Sequence, residues 1–440
     1  MKREPSNEII ELDYRNGELI VRYNPCLNYV PQWDDHDSVA DRMTIAPERG
    51  ADGRIDSDAS ALFPTEALTE LVKALAEAIF QSTQERNPAD FAFQQLLMRA
   101  SVHLADTADS HGHNIPALPI SVRTAGPRGM FVSIPSAMGM HSFVAAVEDF
   151  VGTGSASFDV DTPTGQPIRV NRLKSLTVEF PPNGSPRRFV KTLLRKLDGV
   201  VITGFADEVR GAFHRNPEDC AHSLAALGIQ QNLGVLLITG ITAKAMAQSG
   251  APLVLMELGQ FATLTGIPVV CVGTPGAAAS LVELGVSAAS LYSHGACIIE
   301  PFGKEDPHWE LYSEYTWQNY FADAFGAARP DWFVREMFTH CAGHTDLLFK
   351  LGRHVRDMDK GQWGNALTPE ALNGFARKAL VMECKALALV AMVKQKAKVS
   401  RVTAMRFADW LPIDSAMMLI APNDEPMVSA LLLPVMGEAS

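Results

Sequence analysis

The chain has 440 residues, 47% of them hydrophobic and 20% charged, with a mean hydropathy of +0.03. That length predicts two or three packed units, and the polar opening MKREPSNEII together with the lack of any ~18-residue apolar run argues against a signal peptide or a membrane span, so the expectation is a cytoplasmic protein. A formal net charge of −12 excludes nucleic-acid binding by bulk electrostatics and leaves only local contacts.

In chain order, IIELDYRNGELIVRYN sets Asn16-Gly17 between two alternating apolar runs and predicts a hairpin. The acidic QWDDHDSVADRM that follows reads as an ordered arm or loop. Leu68, Leu71, Val72, Leu75 and Ile79 recur at helical spacing, predicting a helix over 64–84, with a second over 88–105. HLADTADSHGHN offers His103, Asp106, Asp109, His111 and His113, but the spacing fits no established metal pattern and reads as a polar linker.

From about 120, short apolar runs alternate with helical patterns: GMFVSI (129–134), SLTVEF (175–180), GVLLITG (234–240), IPVVCVGT (267–274) and ACIIEPF (296–302). Their lack of polar alternation fits strands covered on both faces, and so predicts an α/β fold with a five-stranded parallel sheet and helices on either side. From about 306 the pattern is helical, with Thr368 as an N-cap. The expected units are an N-terminal extension (1–115), an α/β core (116–305) and a helical C-terminal unit (306–440).

The six cysteines, Cys26, Cys220, Cys271, Cys297, Cys341 and Cys384, include no C-x-x-C pair and read as reduced, buried thiols, with neither a disulfide framework nor a zinc site. After the first apolar run, VSIPSAMGMHSF (132–143) opens a helix where a P-loop, G-x-x-x-x-G-K-[ST], would sit. It can be laid on that pattern only with Ile134 for the first glycine, Gly139 for the second, Met140 for the lysine and His141 for the hydroxyl.

Several segments, in the right order, resemble the TnsC/TniB family of AAA+ ATPases that regulate target choice in bacterial transposons. These are YNPCLNYVP (23–31), ERNP (85–88), VEFPPNGSPRRFVKTLLRKLD (178–198), LGVLLITGI (233–241), GIPVVCVGTPGAA (266–278) and CAGHTDLLFKL (341–351). The resemblance implies an AAA+ core with a C-terminal helical lid, serving DNA transposition. It also places Gly139, Met140, His141 and Ser142 at the nucleotide-binding loop, Thr239 and Gly240 at the Walker B Asp-Glu positions, and Thr274 at a sensor position.

The departures decide the expected chemistry. Met140 cannot neutralise β/γ-phosphates as a P-loop lysine does, and Pro135 removes a backbone N–H from the loop. Thr239 and Gly240 offer no carboxylate for magnesium or water, and the family's arginine pair falls at about Ala288-Ala289. The expectation is a pseudo-ATPase: no catalytic residue, no metal, and binding of ATP and magnesium lost or weak.

The implied partners are an intact TnsC/TniB-type ATPase, a TniQ-like target selector or a transposase, engaged through the 23–31 arm or the C-terminal helices. DNA is a further partner within such a complex, and the oligomeric state is expected not to depend on nucleotide. The basic run VKQKAKVSRVTAMR supplies Lys394, Lys396, Lys398, Arg401 and Arg406 for a local DNA or partner contact, although a solvated helix end has the same composition. One alternative is a weak ATP-binding subunit active only beside a partner ATPase. Another is a Rossmann-like dinucleotide-binding enzyme, using Gly273 and Gly276 in VGTPGAAAS with Glu300 as the ribose contact.

Overall fold

The computed structural model describes residues 13–15, 18–20, 23–33, 35–47, 60–109, 126–161, 167–201, 220–358 and 367–420. Strands β1 (Asp13–Arg15) and β2 (Glu18–Ile20) pair antiparallel, as the Asn-Gly turn predicts. The acidic stretch is not a loop. It folds as the helix His36–Met43, because Asp35 and Ser38 form a reciprocal capping box and Val39 and Met43 bury one face.

The five predicted strands form one parallel sheet. They are β3 (Gly129–Ser133), β6 (Ser175–Glu179), β7 (Val235–Ile241), β8 (Val269–Gly273) and β9 (Ala296–Ile298), in the spatial order β6-β7-β8-β3-β9. The first strand of the sheet therefore lies inside it, between the fourth and the fifth. Between β3 and β6 the chain forms an antiparallel pair that apolar patterning does not predict, β4 (Ser155–Asp161) and β5 (Pro167–Leu173).

Successive side chains along each sheet strand go to opposite faces, and the core divides accordingly. Met130, Val132, Val235, Leu237, Val270 and Val272 join one cluster with the helices Glu66–Glu85 and Thr345–Arg356. Phe131, Leu236, Ile238, Val269 and Cys271 join the other, with the helices Pro186–Val200, Ala221–Gln230 and Ala251–Thr265. The first cluster runs from Leu27 to Leu380 and includes the fully buried Trp309 and Trp317, so the N-terminal helices, the sheet and the C-terminal helices share a core.

The C-terminal part is helical, and Thr368 caps the helix Pro369–Ala379 as expected. His103 is not in a linker. It lies on the helix Phe91–Asp109, buried, with its Nε2 against the Ser223 hydroxyl, while His111 and His113 lie outside the described residues. Of the cysteines, Cys384 is exposed and the other five are buried. Among the described residues no helix is long and apolar enough to cross a membrane.

Candidate functional site

In open parallel sheets, ligands bind in the crevice beyond the carboxyl ends of the strands. Here that crevice is formed by the loop Ile134–Gly139 after β3, the end of β7 and Thr274 after β8. Gly139, at φ +77°, starts the helix Met140–Val151 and has no side chain to cap it. The cap comes from far away: Asp346 accepts the Gly139 N–H at 3.0 Å, and the Asp346 N–H donates to the Ala137 carbonyl at 3.0 Å. The amide that a P-loop would offer to phosphate is thus held by a carboxylate of the same chain.

The other predicted loop residues are committed as well. Ser142 is buried and donates its hydroxyl to the Ser60 carbonyl at 3.0 Å. Met140 packs half-buried against the apolar core, and His141 is exposed. At the end of β7 the register shifts between Ile238 and Ile241, Gly240 takes φ +73°, and its open side faces the Glu179 side chain. Thr239 offers no carboxylate, but its carbonyl accepts the Phe180 N–H.

Thr274 caps the helix Pro275–Glu283 and hydrogen-bonds through its hydroxyl to the Asp409 carboxylate. That same carboxylate accepts the Ala243 N–H at 2.8 Å, and the Asp409 carbonyl accepts the Ser136 N–H at 2.7 Å. One residue of the turn Ala408–Trp410 therefore spans the ends of β3, β7 and β8. Sequence reasoning missed Asp346 in this role and missed Asp409 altogether, since 207 and 135 residues separate them from their partners.

Neighbouring titratable groups are shifted by burial. The buried His344 ring binds the Cys341 carbonyl at 3.0 Å, stands 5.6 Å from the Trp410 ring, and is pushed down to about 4 by desolvation. Desolvation pushes the Asp346 and Glu300 carboxyls up, against the opposing hydrogen bonds from Gly139 and Ile413.

His344 has a folded-state value below its unfolded 6.5, so its contribution is complete above pH 6.5 and is lost as the pH falls toward 4. Between pH 7 and pH 5 this costs about 2 kcal/mol. The raised carboxyls act in the opposite sense, their contribution being complete only below their unfolded values. Urea unfolding at the two pH values checks this: on going from pH 7 to pH 5, wild type is expected to lose about 2 kcal/mol more than His344→Asn does.

Lys394 is exposed, donates to the Ala342 carbonyl at 3.3 Å and lies over the Phe338 ring. Lys396, Lys398 and Arg401 are exposed. Another run of exposed cations lies on the helix Pro186–Val200, where Arg187, Arg188, Lys191, Arg195 and Lys196 are exposed while Phe189, Val190, Leu193, Leu194 and Leu197 are buried. Their spacing of three, four and five residues puts all five cations on the outward face. None of the five forms an ion pair with a described residue.

The 23–31 arm is docked on its own chain. Asn24 donates to the Thr83 carbonyl, Asn232 donates to the Cys26 sulfur, and Cys26, Leu27 and Val30 are buried. Asn232 also binds the buried Arg86 and, through its carbonyl, the buried Arg172. The Y-N-P and R-N-P segments thus meet at one structural cluster, with Cys26 pushed up to about 11 by burial. Gly276 of the alternative dinucleotide loop faces Ala408 and Asp409, and Glu300 accepts the Ile413 N–H.

The fold is α/β with a five-stranded parallel sheet, and the loops after β3, β7 and β8 are bonded to Asp346 and Asp409 of its own C-terminal half. No protein-family model matches the chain, and no curated protein sequence matches it.

Proposed function

We propose that the protein is a TnsC/TniB-like AAA+ pseudo-ATPase, an adaptor in transposition complexes that works through protein and DNA contacts without a nucleotide cycle. The observation that carries this reading is the self-occupied crevice. Asp346 holds the Gly139 amide and Asp409 holds Ala243 and Thr274, so a triphosphate would meet two carboxylates where it needs cations.

A parallel sheet with all five expected strands supports the AAA+ part of the reading, as does the helix Thr345–Arg356 placed over the nucleotide-loop position. The missing lysine and Walker B acids support the loss of hydrolysis. The natural partners are an intact ATPase of the family, a target selector or a transposase. With the arm partly buried on its own chain, the C-terminal helices and the basic helix Pro186–Val200 are exposed surfaces open to them.

Isothermal titration with ATP and magnesium tests the reading. No binding is expected up to millimolar ATP, for wild type and equally for Met140→Lys, because restoring the lysine leaves both carboxylates in place. Micromolar affinity in wild type, or turnover that a Gly139 substitution abolishes, would overturn it. A purified protein that grows into rings or filaments only with ATP would count equally against it.

A further inference from the structure

The 23–33 arm and the helix Glu66–Glu85 line a groove of about 500 Å³, within the ~300–1,000 Å³ range of ligand sites. Its apolar lining includes Val30, Pro31, Trp33 and Phe80, and both aromatic rings are only partly buried. Around them stand Gln32, Gln81, Gln84 and Glu77. On the helix side Glu77, Phe80, Gln81 and Gln84 recur at three- and four-residue spacing, so one face presents them all.

Both walls are fixed before anything binds. Asn24 donates to the Thr83 carbonyl at 2.8 Å, Arg42 donates to the Gln32 carbonyl at 2.6 Å, and Cys26 and Leu27 are buried. A groove held this way has little left to order when it is filled. Its polar groups, in contrast, are unspent. The Glu77 carboxylate, the three glutamine amides and the Trp33 indole N–H have no hydrogen-bond or ion-pair partner among the described residues.

Free side-chain donors beside an aromatic floor suit a backbone that arrives with its carbonyls unpaired. A helix has already used its carbonyls, and strand addition needs a free backbone edge, which the side chains of a helix do not provide. A polyproline II segment has no internal hydrogen bonds, so amide and indole N–H groups can reach its carbonyls while its proline rings lie on Trp33 and Phe80. The lengths agree. The Glu77–Gln84 wall is about 10 Å long at ~1.5 Å per helical residue, and a Pro-x-x-Pro core is about 9 Å long at ~3.1 Å per residue. The charge is set as well: Glu77 is the only ionisable group lining the groove, and an unpaired carboxylate calls for a cation.

We propose that this groove docks a proline-containing segment of a partner protein, held as polyproline II with Pro-x-x-Pro spacing and one basic side chain facing Glu77. Trp33 and Phe80 take the prolines, the glutamine amides and the indole take the carbonyls, and Glu77 fixes the direction of the segment. The site lies apart from the crevice beyond the sheet strands and does not depend on how that crevice is read.

Fluorescence anisotropy with the purified full chain tests this. The probe is a fluorescein-labelled decapeptide with two prolines three residues apart and one arginine two residues after the second. Saturable binding with Kd below about 0.5 mM is expected. Changing both probe prolines to alanine is expected to weaken binding at least tenfold, and so is Trp33→Ala. Glu77→Gln, on an exposed helix face, leaves the fold intact and isolates the charge. It is expected to weaken the arginine probe about threefold and to leave a probe with glutamine in place of the arginine unchanged.

No saturable binding up to about 1 mM probe would overturn the proposal. Equal affinity for the alanine probe would do so too, as would a Glu77→Gln change that weakens both probes alike or neither. Binding that appears only after Pro116→Ala and Pro119→Ala would put the chain's own Pro-x-x-Pro, which lies outside the described residues, in the groove and defeat the assignment to a partner.

Discussion

Neutralising Arg187, Arg188 and Lys191 together is expected to weaken binding of the protein to duplex DNA about a hundredfold at ~0.15 M salt, and to flatten the dependence of log K on log salt by about 2.7. The magnitude follows from counterion release, about 0.9 in slope for each phosphate that is no longer neutralised. In a chain of net charge −12, such binding must come from a local surface. We propose the five exposed cations of the helix Pro186–Val200 as that surface.

Two of those cations sit in the first helical turn, where the helix dipole disfavours positive charge by about 0.3–1 kcal/mol each. They are therefore poor choices for stability and good ones for an anionic partner. The substitutions are to glutamine, which keeps helix propensity, so circular dichroism should be unchanged and unfolding should show no loss of stability, with a gain of up to about 2 kcal/mol from relief of the dipole. With the basic helix as the DNA contact, the matching triple change at Lys394, Lys396 and Lys398 is expected to alter DNA affinity by less than threefold. Fluorescence anisotropy across a salt series decides between them. A larger effect from the second set would return the DNA surface to the C-terminal helices, and loss of binding to an acidic protein but not to DNA would identify a different partner for the basic helix.

The second large effect is structural and lies next to the crevice. Gly343→Ala is expected to destabilise the protein by at least about 3 kcal/mol in urea unfolding. Gly343 sits at φ +85°, and a Cβ there would lie 2.2 Å from the Phe302 carbonyl oxygen and 2.9 Å from the Phe302 nitrogen. Both atoms are backbone, tied by the hydrogen bond from Phe302 N–H to the Gly343 carbonyl, so neither can move cheaply. Relief would come by shifting the segment that leads into His344, Thr345 and Asp346, and with it the cap on Gly139. Gly326→Ala is the control: at φ +102° with open space around it, the substitution costs backbone strain alone, about 1 kcal/mol. Equal effects of the two changes would show that the Phe302 approach is not what holds the loop.

How much of this could be read in advance depended on the range over which each interaction acts. The five sheet strands, the helix Glu66–Glu85, the β1–β2 hairpin and the Thr368 cap are specified by residues within a few positions of one another, and periodicity or turn chemistry exposes them. The acidic stretch misled because its composition suggested a loop, although Asp35 and Ser38 carry a cap signal. The β4–β5 pair misled for a different reason. Its strands alternate apolar and polar residues, Ala156, Phe158 and Val160 against Ile168 and Val170, so the unbroken apolar runs that revealed the sheet were absent.

What the family resemblance leads one to expect, and the chain does not carry, was legible from residue identities: a lysine at Met140, acids at Thr239 and Gly240, and an arginine pair at Ala288-Ala289. What occupies the crevice instead emerged only from the folded arrangement. Asp346 and Asp409 are inconspicuous in the chain, one near a helix start and one in a short turn, and neither stands near the residues it binds. Their roles arise because helix packing on the sheet brings them to unsatisfied backbone amides, and a buried N–H takes whatever acceptor the fold delivers. The same holds for the basic helix: charge is visible in the sequence, but which residues between the cations are buried, and so which way the helix faces, is settled by packing.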